Sequence, residues 1–293
     1  YREITEVRRA FRQEQPEGFL FPGIAGLMIP RMVREDKDRW AAVRDWYNAS
    51  FRLFEVQRAA NTSFRSLLHT ISYLGPLRSL PQRTYRLNPE PPAEVGVTGE
   101  HAPELLFRQA SSDDGNNVNT WLEDLGYGRL NFEAIGDEYF QVRLDTPSGM
   151  HVNLADTGVG LSQVIPILLQ GSAAAPGSML IAQQPEIHLN PAQQSILTDF
   201  FIHRANAGLR VLLETHSEHM VLRLRRRIAE GDIDADDVAI YYVESSDGGT
   251  RLRKVPVGDQ GEIDRQDWPE GFFEDQLQEA FALATAQVSR VNR

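Results

Sequence analysis

From residue 155 onward the chain alternates between two hydrophobic periods, and this alternation constrains its fold more than any other feature. Gly160–Gln170 has the spacing of an apolar helix, Met179–Ala182 the unbroken apolar run of a buried strand, and Pro191–Ala207 the spacing of a second helix. Leu209–Glu214 (LRVLLE) reads as another strand, Ser217–Glu230 as a helix and Val238–Glu244 as a third strand. Strands separated by helices of about 10–15 residues point to parallel pairing. The expected fold class is therefore α/β, a mixed and largely parallel sheet flanked by helices. RLRKVPV predicts a hairpin, pairing back across the Asp247-Gly248-Gly249 turn, and WPEGFFEDQLQEAFALATAQV ends in an amphipathic helix.

Upstream the texture differs. Residues 1–70 predict a helical arm, with Trp40, Val43, Trp46, Phe51 and Phe54 at helical spacing and the expectation of a core-facing layer. Within it GFLFPGIAGLMIPRM (18–32) is apolar but broken by Pro and Gly, as a buried loop or turn would be. Residues 71–150 predict a β-rich insertion. A Pro- and Gly-rich stretch from Tyr73 is loop with short strands, and a helix follows near Asn117–Leu125. Alternating strands then run to residue 155, with turns at Gly136-Asp137 and Pro147-Ser148-Gly149. Residues 151–293 form the α/β lobe and its C-terminal hairpin and helix.

Composition excludes several classes. The 293 residues contain no cysteine, which rules out disulfides and cysteine-ligated zinc or iron–sulfur centres, and a cytoplasmic location is expected. No run approaches the roughly 18 apolar residues of a membrane span, and YREITEVRRAFRQEQ at the start is charged rather than signal-like. A net charge of −11 argues against nucleic acid binding across the whole surface but leaves a local basic groove for DNA open. The chain opens on Tyr rather than Met, as expected of a fragment or processed product.

In a parallel sheet, ligands sit beyond the carboxyl ends of the strands. Two predicted strands end there in polar clusters, Gln183-Gln184-Pro185-Glu186 and Thr215-His216-Ser217. A strand ending at an acidic-type pair, followed some 30 residues on by a strand ending in Thr-His, is a nucleotide-hydrolysis pattern. The first position fixes Mg²⁺, the next orients water, and the histidine reads the γ-phosphate. Before both comes LADTGVGLSQVIPIL (154–168), where Gly158 and Gly160 free the backbone to approach an anion at a helix N-terminus.

This order resembles the C-terminal half of ABC-type ATPases of the RecF, SMC and OLD-nuclease kind. It is similar in particular to bacterial AAA/ABC-like ATPases with a C-terminal domain of unknown function. The resemblance is carried by YLGPLR (73–78), VGVTGEHAPELL (95–106), LADTGVGLSQVIPIL, QPEIHLNP (184–191), ETHSEHMVLRLRRRI (214–228) and WPEGFF (268–273). It implies that Asp156, Thr157, Gly158, Gly160, Ser162 and Gln163 form a signature-like segment contacting ATP held by a partner protomer. It places Gln183 at the Mg²⁺-coordinating Walker B position, Gln184 at the catalytic glutamate, His188 to Pro191 with Asn190 in a D-loop-like turn, and His216 as the switch histidine. Arg78 is placed loosely, near nucleotide or interface. The implied protein is an ATP- and Mg²⁺-dependent ATPase, a homodimer or higher homo-oligomer, serving phage defence or DNA surveillance beside an effector nuclease or other protein.

Two departures bear on activity. The P-loop motif GxxxxGK[ST] is absent; the two lysines lie in VREDKDRW and RLRKVPV, and relatives carry that motif upstream of the helical arm. Relatives also carry an acid where Gln183 stands. Glutamine fills the same space without charge, so hydrolysis is expected to be impaired, whether the substitution is deliberate or a natural decay. The rival expectation is a silent regulatory or scaffold subunit that binds a partner without turnover. His188 and His219 lack a third ligand for zinc, the Asp-rich run at 232–237 lacks the sheet context of a nuclease, and the Arg223–Arg227 run reads as a salt-bridged helix face rather than a nucleic-acid site.

Overall fold

The computed structural model describes residues 37–110, 117–246, 248–264 and 266–268. The chain divides into two units, 1–69 and 70–293. In the first, the described residues form one helix, α1 (Lys37–His69), about 50 Å long. Helicity is as expected, and of the residues nominated for a core-facing layer Phe54 is half-buried. Leu53, Val56 and Phe64 are 71%, 68% and 60% exposed. The 18–32 stretch lies outside the described residues.

The second unit begins with strand β1 (Ile71–Leu74) and a short β2 (Tyr85–Arg86). Helices α2 (Ala102–Ala110) and α3 (Asn117–Asp124) follow, then strands β3 (Arg129–Ile135), β4 (Tyr139–Asp145) and β5 (His151–Asn153). The lobe predicted from alternation comes next: α4 (Val159–Ala173), β6 (Met179–Gln183), α5 (Pro191–Asn206), β7 (Arg210–Glu214) and α6 (Glu218–Glu230). A hairpin of β8 (Ile240–Ser246) and β9 (Gly249–Val255) ends the described elements. No helix among the described residues is long and apolar enough to cross a membrane.

The fold is mixed α/β. β1, β6 and β7 form a parallel sheet in the order β1-β6-β7, while β2-β4-β3, with β5 beside β4, form an antiparallel one. The expected third parallel strand, Val238–Glu244, does not join this sheet; among the described residues it pairs with β9 in a separate ribbon. Its place is taken by β1, at the start of the stretch expected to hold loop and short strands; four residues are too few to carry a period that would single it out. Helix α2 is the other element missed. It starts inside a Pro- and Gly-rich stretch, yet Pro103 lies in its first turn, where a missing N–H costs nothing, and Glu104 is paired with Arg108 one turn on.

Helix α4 joins the two sheets. It is apolar on nearly all sides, and Leu161, Val164, Ile167 and Leu168 are buried in one continuous core. That core takes Leu74 and Leu180 from the parallel sheet, Phe140, Val142 and Leu144 from the antiparallel one, and Leu197 and Phe200 from α5. The last approach requires a glycine: a Cβ on Gly171 would lie 2.5 Å from the Phe200 ring. This packing fixes β6 and β7 side by side and leaves their carboxyl ends open.

Candidate functional site

β6 and β7 run in register, with Gln183 beside Glu214 at their ends, and Tyr73 reaches the same point from β1. Because side chains alternate across a strand, Tyr73, Gln183 and Glu214 share one face. The Gln183 amide is engaged at both ends. Its Oε1 accepts from Tyr73 Oη at 2.6 Å, and its Nε2 donates to Glu214 Oε2 at 2.6 Å. A neutral amide can bridge a phenol and a carboxylate in this way; a carboxylate at 183 would meet Glu214 with no proton between them.

The chain leaves β6 through a strained turn. Gln184 (φ +43°) and His188 (φ +63°) are the two non-glycine residues with positive φ among the described residues. Such conformations cost on the order of 1 kcal/mol each, persist only when surroundings enforce them, and cluster at functional sites. Here Gln184 N donates to the Glu214 carbonyl at 2.7 Å, and Ile187 N and Leu189 N close the turn onto the Gln184 and Glu186 carbonyls. Gly160, at the start of α4, approaches this turn so closely that a Cβ would lie 2.6 Å from the His188 carbonyl oxygen.

Beyond β7, Thr215, His216 and Ser217 lead into α6. Ser217 caps that helix by accepting from Met220 N, and its hydroxyl donates to Gln194 Oε1 at 2.6 Å, tying α6 to α5. His216 has an exposed side chain and a fixed backbone: its N–H donates to buried Glu186 Oε1 at 2.8 Å. Glu186, His188, Gln194, His216, Glu218 and His219 line an open groove of about 460 Å³.

Behind the strand ends lies Arg78, only 5% exposed. Its Nη2 donates to the Gln183 carbonyl at 2.8 Å, and Gln163 of α4 grips its peptide from both sides, accepting from Arg78 N and donating to Arg78 O at 3.2 Å each. Burial pushes the guanidinium down to about 10, partly opposed by attraction to Glu186. It therefore stays charged at neutral pH.

The remaining nominated residues occupy varied places. Asp156 accepts from both terminal nitrogens of Arg83, Thr157 donates to the Leu154 carbonyl, and Gly158 is the N-cap of α4 in open space. Ser162, Gln163 and Asn190 have their side chains engaged internally. Ser162 donates to the Val159 carbonyl, Gln163 holds Arg78, and Asn190 forms a capping box with Gln193 at the start of α5. Gln183, Gln184, His216 and the approach of Gly160 converge around the strand ends. Sequence reasoning missed Tyr73, Glu186 and Glu214 as contributors. Glu186 and Glu214 stand inside the quoted motifs, but only pairing across strands shows what they hold.

As donors for Mg²⁺, these residues fit poorly. Position 183 offers an amide already paired at both ends, Glu214 is the one carboxylate beside it, and no cluster of three or more His, Asp or Glu able to hold a metal occurs among the described residues. The arginine run is engaged as a helix face. Arg223 and Arg227 both grip Asp199 of α5, Arg226 pairs with Glu230, and Arg225 donates to the Gly261 carbonyl and lies over the Trp268 ring.

Residues 233–283 match the family described as "Protein of unknown function (DUF3696)". No curated protein matches the sequence. Among solved structures, the chain is similar to one from work on ATP-driven dimerization and DNA-stimulated activation of SMC ATPases, at 15% identity and a TM-score of 0.38 over 52% of this chain and 89% of that one. An Smc head domain from Pyrococcus furiosus, with an extended coiled coil and bound to the C-terminal domain of ScpA, matches at 12% identity and TM-score 0.37 over 87% of this chain and 52% of that one. A third, an Smc head with coiled coil and joint from Pyrococcus yayanosii, matches at 13% identity and TM-score 0.38 over 86% of this chain and 46% of that one. The chain thus spans about half the length of these last two structures, and likenesses this loose carry no argument about activity.

Proposed function

We propose that this chain is part of an ABC-type ATPase that binds ATP between two protomers and uses dimerisation as its switch. One observation carries the reading. The polar ends of two adjacent parallel strands, Gln183-Gln184 and Thr215-His216, meet beside a strained turn on which the Gly160 end of α4 rests. In this reading Gln184 orients the attacking water, His216 contacts the γ-phosphate, and the Asp156–Gln163 segment faces nucleotide held by a second copy. Magnesium would be brought by the nucleotide's own phosphates, because residue 183 adds no charge to hold it. The P-loop must be supplied from outside residues 1–293, whose sequence lacks it. The setting suggested by the resemblance, phage defence or DNA surveillance with an effector partner, remains analogy.

A second reading, a silent scaffold, is favoured by Gln183, a neutral amide bonded at each end to this chain's own side chains where an acid would be needed. The two separate in one experiment. A P-loop segment is joined to the chain, with and without Gln183→Glu, and ATP turnover and solution mass are measured. The ATPase reading expects turnover in the glutamate form and ATP-dependent dimer in the glutamine form. A monomer indifferent to ATP in both forms leaves only the scaffold.

A further inference from the structure

We infer that the open face of the β8–β9 hairpin is the docking surface of this chain's own segment 273–288. The ribbon has two unlike faces, because side chains alternate along a strand and cross-strand partners point the same way. One face packs: Ile240 pairs with Val255, which is buried, and Tyr242 lies under the Arg253 guanidinium. On the other, Tyr241 pairs with Lys254, Val243 with Leu252 and Ser245 with Thr250. Tyr241, Val243 and Leu252 there are 57%, 59% and 66% exposed. They form an apolar patch left open among the described residues, on a two-stranded ribbon that needs a helix or further strands against it to be stable.

The chain itself delivers the occupant. Arg253 Nη1 donates to the Asp267 carbonyl at 2.8 Å, and the Trp268 ring lies beneath Arg225 of α6, so the described residues end beside the packed face of the hairpin. Pro269-Glu270-Gly271 follows, a turn signal whose three residues reach about 10 Å, enough to round the edge of a two-stranded ribbon. Beyond it Phe273, Leu277, Ala280, Phe281, Ala284 and Val288 fall on one stripe at helical spacing. As a helix, 273–288 is about 24 Å long, and the seven-residue strands are about 23 Å. Charge agrees along that length. Lys254 stands at the base of the open face, where the segment would enter, and Glu270, Glu274, Asp275 and Glu279 fill the segment's beginning. From Ala280 to Val288 it carries no charge, and neither do Val243, Leu252, Ser245 and Thr250 farther up the ribbon. A tether of a few residues also gives the segment an effective concentration in the millimolar range, which a second copy or another protein would have to exceed.

Docking of this segment does not depend on nucleotide, so it stands or falls apart from the ATPase reading. The chain contains no cysteine, and a pair introduced into it is therefore unique. Leu252→Cys lies midway along the open face and Ala280→Cys midway along the stripe, while Ala282→Cys lies on the opposite side of the same helical turn. With oxidised glutathione, the Leu252→Cys/Ala280→Cys chain should close to an internal disulfide, read as a monomer band that migrates faster without reductant. The Leu252→Cys/Ala282→Cys chain should close about tenfold more slowly, because its sulfurs cannot meet without displacing the helix. Val243→Asp in the Ala280 background puts a charge into the contact and should slow closing by about tenfold as well. If Ala280→Cys does not fold, Ala284→Cys on the same stripe replaces it. Equal rates for the two sides of the helix, or a rate indifferent to Val243→Asp, overturns the docking. A disulfide-linked dimer in place of the closed monomer gives the face to a second copy, and no disulfide at all leaves the segment elsewhere; either result overturns it too.

Discussion

Gln183 stands where the resemblance expects an acid, and its neighbours show what the amide does: it satisfies Tyr73 and Glu214 at once. Gln183→Glu brings two carboxylates to hydrogen-bond distance. One carboxyl pKa is then raised above its unfolded value, so the stability tied to it is complete at acid pH and is lost as pH rises through the folded value. The expected cost at pH 8 relative to pH 5 is on the order of 1 kcal/mol, held down by partial exposure, and millimolar Mg²⁺ should offset it. Thermal melts across pH, with and without Mg²⁺, measure this; pH-independent melting of the glutamate form would contradict the Gln183–Glu214 contact. Strain gives a second prediction. His188→Gly should be neutral or stabilising, whereas His188→Val at φ +63° should cost about 1–2 kcal/mol in urea unfolding. None of this strain was legible in the sequence, because HLNP holds no glycine to announce a left-handed residue.

At the scale of elements, the α5–α6 contact is built on one acid. Burial works to raise the Asp199 carboxyl, but hydrogen bonds and charge from Arg223 and Arg227 outweigh it and hold it below the usual range. A depressed folded value contributes stability that is complete above the unfolded pKa of about 4 and fades as pH falls through the folded one. Asp199→Ala should cost about 1–2 kcal/mol at pH 7, since Arg223 loses its acid while Arg227 keeps Glu230 and Asp232, and urea midpoints should show this gap closing in acid. An equal gap at every pH would argue for lost packing instead. The helices and strands from Val159 to Glu230 were legible because each carries its own period and cap: Asn190 before Pro191, Ser217 before α6, Gly231 after it. β1 and α2 were not, because four residues carry no period and α2 begins among loop residues. The strand end of Gln183 and the loop of His216 were likewise readable from order alone, while the bridge from Tyr73 through Gln183 to Glu214 needed three-dimensional pairing.

For the whole second unit, the question is what the parallel sheet does with its other face. Leu74, Leu180 and Ala182 are buried against α4 and its neighbours, but Ile71, Tyr73 and Leu212 on the opposite face are 37%, 42% and 51% exposed. Parallel sheets ordinarily have both faces covered, and an apolar patch left open among the described residues associates or binds apolar probes. The C-terminal amphipathic segment predicted from WPEGFFEDQLQEAFALATAQV lies, after Trp268, outside the described residues. The chain is therefore expected to bind an apolar fluorescent dye and to self-associate with rising concentration, both independently of ATP. Leu212→Lys should reduce both without lowering the melting temperature by more than a few degrees, because Leu212 contributes little buried area where it stands. Sedimentation over a range of concentrations distinguishes this association from the nucleotide-dependent dimer. If the parent chain is dye-silent and monomeric, or if Leu212→Lys unfolds it, the face is covered in solution and Leu212 belongs to the core.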